Sequence, residues 1–235
     1  MVRSHLILQR AFAGSHEAMA VLSGPWDASW SEIEDIEIGL TAPTGVPLGS
    51  VEYVSAYARC AGVSLPKDFS YPRCLMPYLC AEPMLRFYAD VPEGCFVKPA
   101  FEIKTFTGGI KGQLTERVSP GAQVWCMPAT KLVAEWRLYV HRGAIIGHAR
   151  YDSGDDESLE FNMDVATKMV LDFEASGEAP AGYSVDIGLT HRGGTVLIEV
   201  NDGWALGYYP WGTCPKKQYV ELLIDRWNQL SAARS

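Results

Sequence analysis

Basic residues are few and scattered: 20 Lys and Arg stand against 28 Asp and Glu in 235 residues, for a formal net charge of −8. A duplex phosphate backbone is neutralised by clustered cations, so the lack of a basic stripe sets nucleic acid aside as a partner. Long apolar runs are missing too. None approaches the ~20 residues of a membrane helix, and Met1 to Arg10 lacks an apolar core with a small-residue cleavage site, so the expectation is a cytoplasmic chain with no membrane partner. The 6 cysteines, Cys60, Cys74, Cys80, Cys95, Cys126 and Cys214, form no C-x-x-C pair and have no His at ligand spacing. That removes a zinc knuckle and, without a secretory leader, favours reduced thiols. The phosphate-cradling patterns G-x-x-x-x-G-K-[S/T] and G-x-G-x-x-G are absent, and no internal repeat divides the chain.

What is present suits a globular protein with a sizeable core, at 48% hydrophobic and 20% charged. Punctuation divides it near Pro92 to Gly94. Ahead of that point lie an apolar strand, Leu6 to Leu8, a Pro- and Gly-rich loop from Thr41 to Gly49, and a helix from Ser50 to about Ala61. Ser50 is its N-cap, and Val51, Val54 and Ala58 recur at helical spacing. Residues 1–92 read as a small α/β unit. Beyond it the pattern turns to strands: Cys95 to Pro99, Val124 to Met127, Ala134 to Val140, Ala144 to Tyr151, Tyr183 to Thr190 and Thr195 to Asn201. One helix spans roughly Met163 to Ala175 and stops near Gly177. Another opens at Pro215 and carries Tyr219, Leu222, Leu223, Arg226, Trp227 and Leu230 on one face, a core stripe.

The most informative stretch is Tyr183 to Asp202, two β-branched runs joined through His191, Arg192, Gly193 and Gly194. Strand alternation turns Val185, Ile187 and Leu189 one way and Ser184, Asp186 and Gly188 the other. On the returning strand Val196, Ile198 and Val200 are expected in the core, leaving Thr195, Leu197, Glu199 and Asn201 opposite. If Thr190 pairs with Thr195, the same register sets Asp186 across from Glu199. Opposed like charges destabilise a sheet pair unless a cation or a raised pKa compensates. Solvent-exposed acids, a general acid/base pair and a metal site all fit the hairpin taken alone. The neighbouring amide oxygen of Asn201 favours a metal, and hard oxygens suit Mg²⁺.

Two further segments carry cations. Phe96-Val97-Lys98-Pro99 places a lysine in an apolar strand, and Lys104 precedes Thr105-Phe106-Thr107-Gly108-Gly109, whose hydroxyls and mobile backbone could cover phosphates; solvated surface lysines are the plain alternative. A second hairpin, Ala134 to Tyr151, turns at Arg142-Gly143. Pairing His141 with Ala144 sets Glu135 against Arg150 and Arg137 against His148. Two guanidiniums would then share a face and bind phosphate or carboxylate, with a structural ion pair as the equal alternative for Glu135 and Arg150. His148 reads as a structural donor, and Asp152, Asp155, Asp156 and Glu157 as a solvated loop.

In chain order, F-V-K-P at Phe96 to Pro99, E-W-R-L-Y-V at Glu135 to Val140, V-D-I-G-L at Val185 to Leu189 and V-L-I-E-V-N-D-G-W-A-L-G at Val196 to Gly207 resemble the ATP-grasp superfamily, in particular its RimK-like amidoligases with their small bacterial and phage relatives. The resemblance implies an α/β (α+β) fold of mainly antiparallel sheets with flanking helices behind a small N-terminal domain: 93–128 as the nucleotide lid and 129–235 as the C-terminal subdomain with the metal site. It implies ATP and Mg²⁺ as cofactors. Carried over by position, Lys98 and Lys104 contact phosphates beside Thr107 and Gly108, and the backbone of Val124, Trp125, Cys126 and Met127 is the adenine hinge. Arg137 and Arg150 are the catalytic arginines near the γ-phosphate, and Asp186, Glu199 and Asn201 are the metal ligands. Asp202 stands where relatives have a Ser- or Pro-containing turn, as an extra ligand or substrate contact. The implied activity joins a small-molecule or peptide carboxylate to an amine through an acyl phosphate. A phosphotransferase on the same fold and a catalytically silent nucleotide-binding module are the rivals.

Overall fold

The computed structural model describes residues 4–67, 70–101 and 105–233. The first unit is a three-stranded parallel sheet. It runs β1 (His5–Gln9), α1 (His16–Leu22), β2 (Asp27–Ser31), α2 (Ile33–Glu37), β3 (Val46–Leu48) and α3 (Val51–Ala61), with strand order β2-β1-β3. Ser50 caps α3, its hydroxyl accepting from Tyr53 N at 3.2 Å, and Gly62 ends the helix in the left-handed region at φ 66°. Strand β3 lies inside the segment expected to be loop. Its three residues are buried and pair with β1, so tertiary pairing overrides the local Pro and Gly signal.

A second, antiparallel sheet has the order β4-β7-β5-β6, from β4 (Met84–Phe87), β5 (Cys95–Pro99), β6 (Gly109–Ile110) and β7 (Gln123–Pro128). Its edge strand β4 lies ahead of the division at Pro92 and pairs with β7, so this layer draws in residues expected in the first unit. A small core of Val91, Val97, Phe106, Val124 and Cys126 holds it together.

The third sheet, β11-β10-β8-β9, carries the long strands: β8 (Leu132–His141), β9 (Ala144–Arg150), β10 (Gly182–Thr190) and β11 (Thr195–Asp202). Helix α4 (Met163–Ser176) crosses between β9 and β10, capped by Asn162 and ended at Gly177 with φ 75°. It presses Ala166, Met169, Val170 and Phe173 onto one face of the sheet, against Trp136, Leu138, Val185, Ile187 and Val200. Helix α5 (Lys216–Ala232) begins one residue after Pro215, which serves as N-cap. Its expected stripe from Tyr219 to Leu230 is buried against the first unit and the Tyr139 end of the sheet, so that unit and the third sheet share one core. What α5 leaves uncovered on that face, facing the second sheet, is the remaining alternate set of side chains.

Two register shifts decide which side chains those are. On β9, His141 pairs with Ala144 and Val140 with Ile145, but Tyr139 pairs with Gly147, leaving Ile146 as an extra residue. On β11, Leu189 pairs with Thr195 instead of Thr190, and Ile187 pairs with Leu197. Ile198 is then extra, and Asp186 meets Glu199. A bulge inserts one residue and turns the flanking run over. Leu197 accordingly joins Val200 in the core, with one edge on a cavity that Val196 and Ile198 line, the reverse of the alternation expected for that half of the strand. Among the described residues no helix is long and apolar enough to cross a membrane.

Candidate functional site

Strands β8, β10 and β11 bring Arg137, Asp186 and Glu199 into one row, because Asp186 pairs with Arg137 on one side and with Glu199 on the other. Arg137 donates through Nε to Asp186 Oδ1 at 2.9 Å and through Nη2 to Oδ2 at 2.7 Å, a bidentate fork. Asp186 is 2% exposed. Burial raises its carboxyl pKa against the pull of the guanidinium. Asn201 bridges the two acids, its amide nitrogen donating to Asp186 Oδ2 at 3.2 Å and Glu199 Oε1 at 3.0 Å.

The facing sheet supplies Lys98 from β5. Its ammonium donates to Glu199 Oε2 and to Ser70 Oγ at 2.7 Å, and it lies 5.3 Å from the centre of the Tyr71 ring. Burial opposes ionisation of Glu199, and the ammonium overcomes it, holding that carboxyl below its usual range. The charge conflict between Asp186 and Glu199 is thus resolved by one cation on each. Between the two sheets lies a cavity of about 920 Å³, onto which Lys98, Thr107, Gly108, Glu116, Met127, Glu135, Tyr151, Glu199 and Asn201 open. Thr107 Oγ1 donates to Glu116 Oε1 at 3.0 Å, which ties the Gly-containing loop to the connection between β6 and β7.

Several sequence expectations change here. Arg150 is not on the face of Arg137: the bulge at Ile146 places it opposite Trp136, 5.8 Å over that ring, where it forks onto Asp152 at 2.7 and 2.8 Å. Asp152 is therefore an ion-pair partner and not a solvated loop acid. His148 pairs with Leu138, meets the Phe161 ring edge-on at 5.2 Å and has its pKa lowered by burial. Of the segment expected as the hinge, Met127 lines the cavity and the other three residues do not. Val124, Trp125 and Cys126 are bonded into strands on both sides, and the β4 pairing ends at Cys126. The edge lining the cavity is Met127, Pro128, Ala129 and Thr130. Asp202 takes a bidentate bond from Arg226, Nε at 2.7 Å and Nη2 at 2.6 Å, with side chains 8% and 9% exposed, and is neither open to the cavity nor free to bind. Lys104 lies outside the described residues.

Glu135, expected opposite Arg150, loses that partner to Asp152, and the place of Tyr151 was not read from the sequence. Glu135 opens on the cavity with no cation beside it among the described residues; burial raises its pKa, the Tyr151 hydroxyl lowers it, and Asp152, Asp186 and Glu199 raise it further. Tyr151 and Tyr209 stack at 5.5 Å, and the Arg137 guanidinium carbon lies 5.9 and 5.4 Å from their ring centres. Their positions near Arg137 depend on the β9 bulge and on the 203–209 segment, which carry no local pattern. Among the described residues no three His, Cys, Asp or Glu side chains gather as a metal cage. The set is two carboxylates and an amide, all hard oxygens once the Asn201 amide turns its oxygen inward, and that set fits Mg²⁺.

The fold is shared with solved enzymes at low sequence identity. D-alanine–D-alanine ligase from Bacillus anthracis complexed with ATP superposes with a TM-score of 0.57 at 11% identity, covering 100% of each chain. N5-carboxyaminoimidazole ribonucleotide synthetase from Thermotoga maritima gives 0.54 at 10% identity over 94% of this chain and 76% of that one. N5-carboxyaminoimidazole synthetase from Staphylococcus aureus gives 0.53 at 8% over 99% and 78%. No curated protein sequence matches significantly. A family model described as an ATP-grasp domain, the second family of its clade, matches residues 84–222, more than half of the chain. The superfamily is the one the motifs resemble, and the model names one clade within it and that clade's second family. With that match and this fold, the chain belongs to the ATP-grasp superfamily, in the second family of the clade so matched.

Proposed function

We propose that the chain is a Mg·ATP-dependent ligase that joins a small-molecule or peptide carboxylate to an amine through an acyl phosphate. The observation that carries this reading is the row Arg137, Asp186 and Glu199, with Lys98 bonded to Glu199 at its end, where Lys98, Glu199 and Asn201 open on one large cavity. Phosphoryl transfer needs positioning and charge neutralisation more than a protein nucleophile, and this arrangement offers both.

Glu199, Asn201 and Asp186 would hold Mg²⁺, which would supply positive charge at the phosphate oxygens. Lys98 exchanges its bond to Glu199 for phosphate oxygens, a point charge at the cavity wall. Thr107 and Gly108 cover the phosphates from the loop above. Adenine meets the backbone edge from Met127 to Thr130, where Pro128 has no N–H and donors come from its neighbours. Glu135 accepts the ribose hydroxyls, a role for a cavity carboxylate without a cation. Arg137 is fixed by Asp186 and by the Tyr151 and Tyr209 rings, and it offsets charge on the transferring group.

In the first step a carboxylate oxygen of the substrate attacks the γ-phosphorus, and the P–O bond to ADP breaks. In the second the amine nitrogen attacks the acyl carbon; the C–N bond forms, the C–O bond to phosphate breaks, and the surplus proton passes to solvent. ADP and free phosphate should therefore appear only when carboxylate and amine are both supplied, and Glu199→Ala should lower that turnover by about 100-fold or more. Unchanged turnover in Glu199→Ala would sink the metal assignment. ADP release with phosphate retained on the acceptor would mark a phosphotransferase, and binding without turnover a silent module.

A further inference from the structure

A second cavity of about 270 Å³ lies between the first unit and the segment Trp204–Gly207. We infer that it receives the amine substrate, and that this substrate is a small primary amine with an apolar body and no free carboxylate; the assignment rests on the ligase reading above.

Position comes first. Gly207 lines this cavity, and a Cβ built on it would stand 3.5 Å from Arg137 Nη1 and 3.6 Å from Glu17 Oε1. Arg137 Nη1 and Glu17 Oε1 thus lie on the same side of Gly207, the side a Cβ would occupy, within about 7 Å of each other. An amine held on Glu17 is beside the group that the acyl phosphate approaches.

Charge comes second. Glu17 and Glu52 line the cavity, and among the described residues no Lys, Arg or His does. Glu17 Oε1 accepts from Tyr208 N at 2.8 Å, and among the described residues no cation pairs with it. An ammonium satisfies such a carboxylate, whereas a ligand carboxylate placed on Glu17 would be repelled by it. Shape comes third. Phe12, Leu48, Val51 and Leu206 make the remaining wall apolar, and about 270 Å³ at ~30 Å³ per water is room for roughly nine non-hydrogen atoms.

The test uses the full chain and calorimetric titration at neutral pH with isobutylamine, isobutanol, which lacks the charge, and valine, which adds a carboxylate to the same branched body. Isobutylamine should bind saturably, with the other two at least about tenfold weaker. Glu17→Gln should weaken isobutylamine about tenfold or more. Val51→Phe, which narrows the cavity, should exclude isobutylamine and still admit methylamine. Equal binding of the three probes, no amine binding, or indifference to Glu17→Gln overturns the inference. Mg·AMP-PNP is titrated separately on the same proteins: nucleotide binding without amine binding fells this inference alone. Amine binding without nucleotide binding fells the ligase reading and leaves the cavity an amine site.

Discussion

Removing the Asp202 carboxylate should destabilise the protein severely while leaving nucleotide binding intact. Both carboxylate oxygens are engaged by Arg226 at 2.7 and 2.6 Å, with the two side chains 8% and 9% exposed. In Asp202→Ala the guanidinium stays buried with Gln229 Oε1, at 2.7 Å from Nη1, as its remaining side-chain partner. Truncating one partner of a buried pair costs about 3–5 kcal/mol, because the other charge is left uncompensated. At roughly 2–4 °C per kcal/mol for a chain of this size, Tm should fall by about 6–20 °C. Asp202→Asn keeps the shape and one acceptor and should cost about 1.5–3 kcal/mol, the worth of a hydrogen bond to a charged group. The double variant Asp202→Leu, Arg226→Met should recover most of the loss, since apolar replacements of buried pairs are often close to neutral. Urea midpoints with unchanged slope measure these differences, alongside Mg·AMP-PNP affinity per folded molecule. A cost below about 1 kcal/mol, or a nucleotide affinity that collapses in folded Asp202→Asn, would refute the structural assignment and return Asp202 to the metal or substrate site.

The ribose role of Glu135 predicts that Glu135→Gln weakens ATP binding about tenfold but barely changes the affinity for 2′-deoxy-ATP; equal losses for the two nucleotides would count against it. The Asp152 carboxyl is held well below the usual range by Arg150 first, with help from the N–H groups of Glu135 and Gly154. A depressed folded-state pKa contributes stability that is present above the unfolded value near ~3.9 and is lost as pH falls below it. Asp152→Asn should therefore flatten the fall in urea midpoint between about pH 5 and pH 2.5, and an unaltered slope would discount the pair. Gly147 faces the backbone of Cys214, where an added Cβ would clash with both N and Cα. Gly147→Ala should cost about 1–3 kcal/mol through overpacking, read as a lowered Tm; a neutral result would mean that the 213–214 segment yields easily.

The sequence by itself determined the elements whose signals are local. Alternation marks β8, β10 and β11, Ser50 and Gly177 mark helix ends, and the stripe from Tyr219 to Leu230 marks a buried helix face, because strand and helix periods and cap chemistry act within a few residues. Asp186 and Glu199 do face one another as the alternation suggested, but through the bulge at Ile198 and not through the expected pairing of Thr190 with Thr195. Their cations were not legible in the sequence. Arg137 reaches Asp186 because β8, forty-odd residues earlier, lies beside β10 in the sheet, and Lys98 reaches Glu199 from a different sheet. The bulges at Ile146 and Ile198 decided that Arg150 leaves the site, that Tyr151 lies over Arg137, and that Leu197 is core while Ile198 meets the cavity. A bulge is the extra residue that lets a strand fit its neighbours on both faces at once, so packing between distant segments, and not the local pattern, sets where it falls.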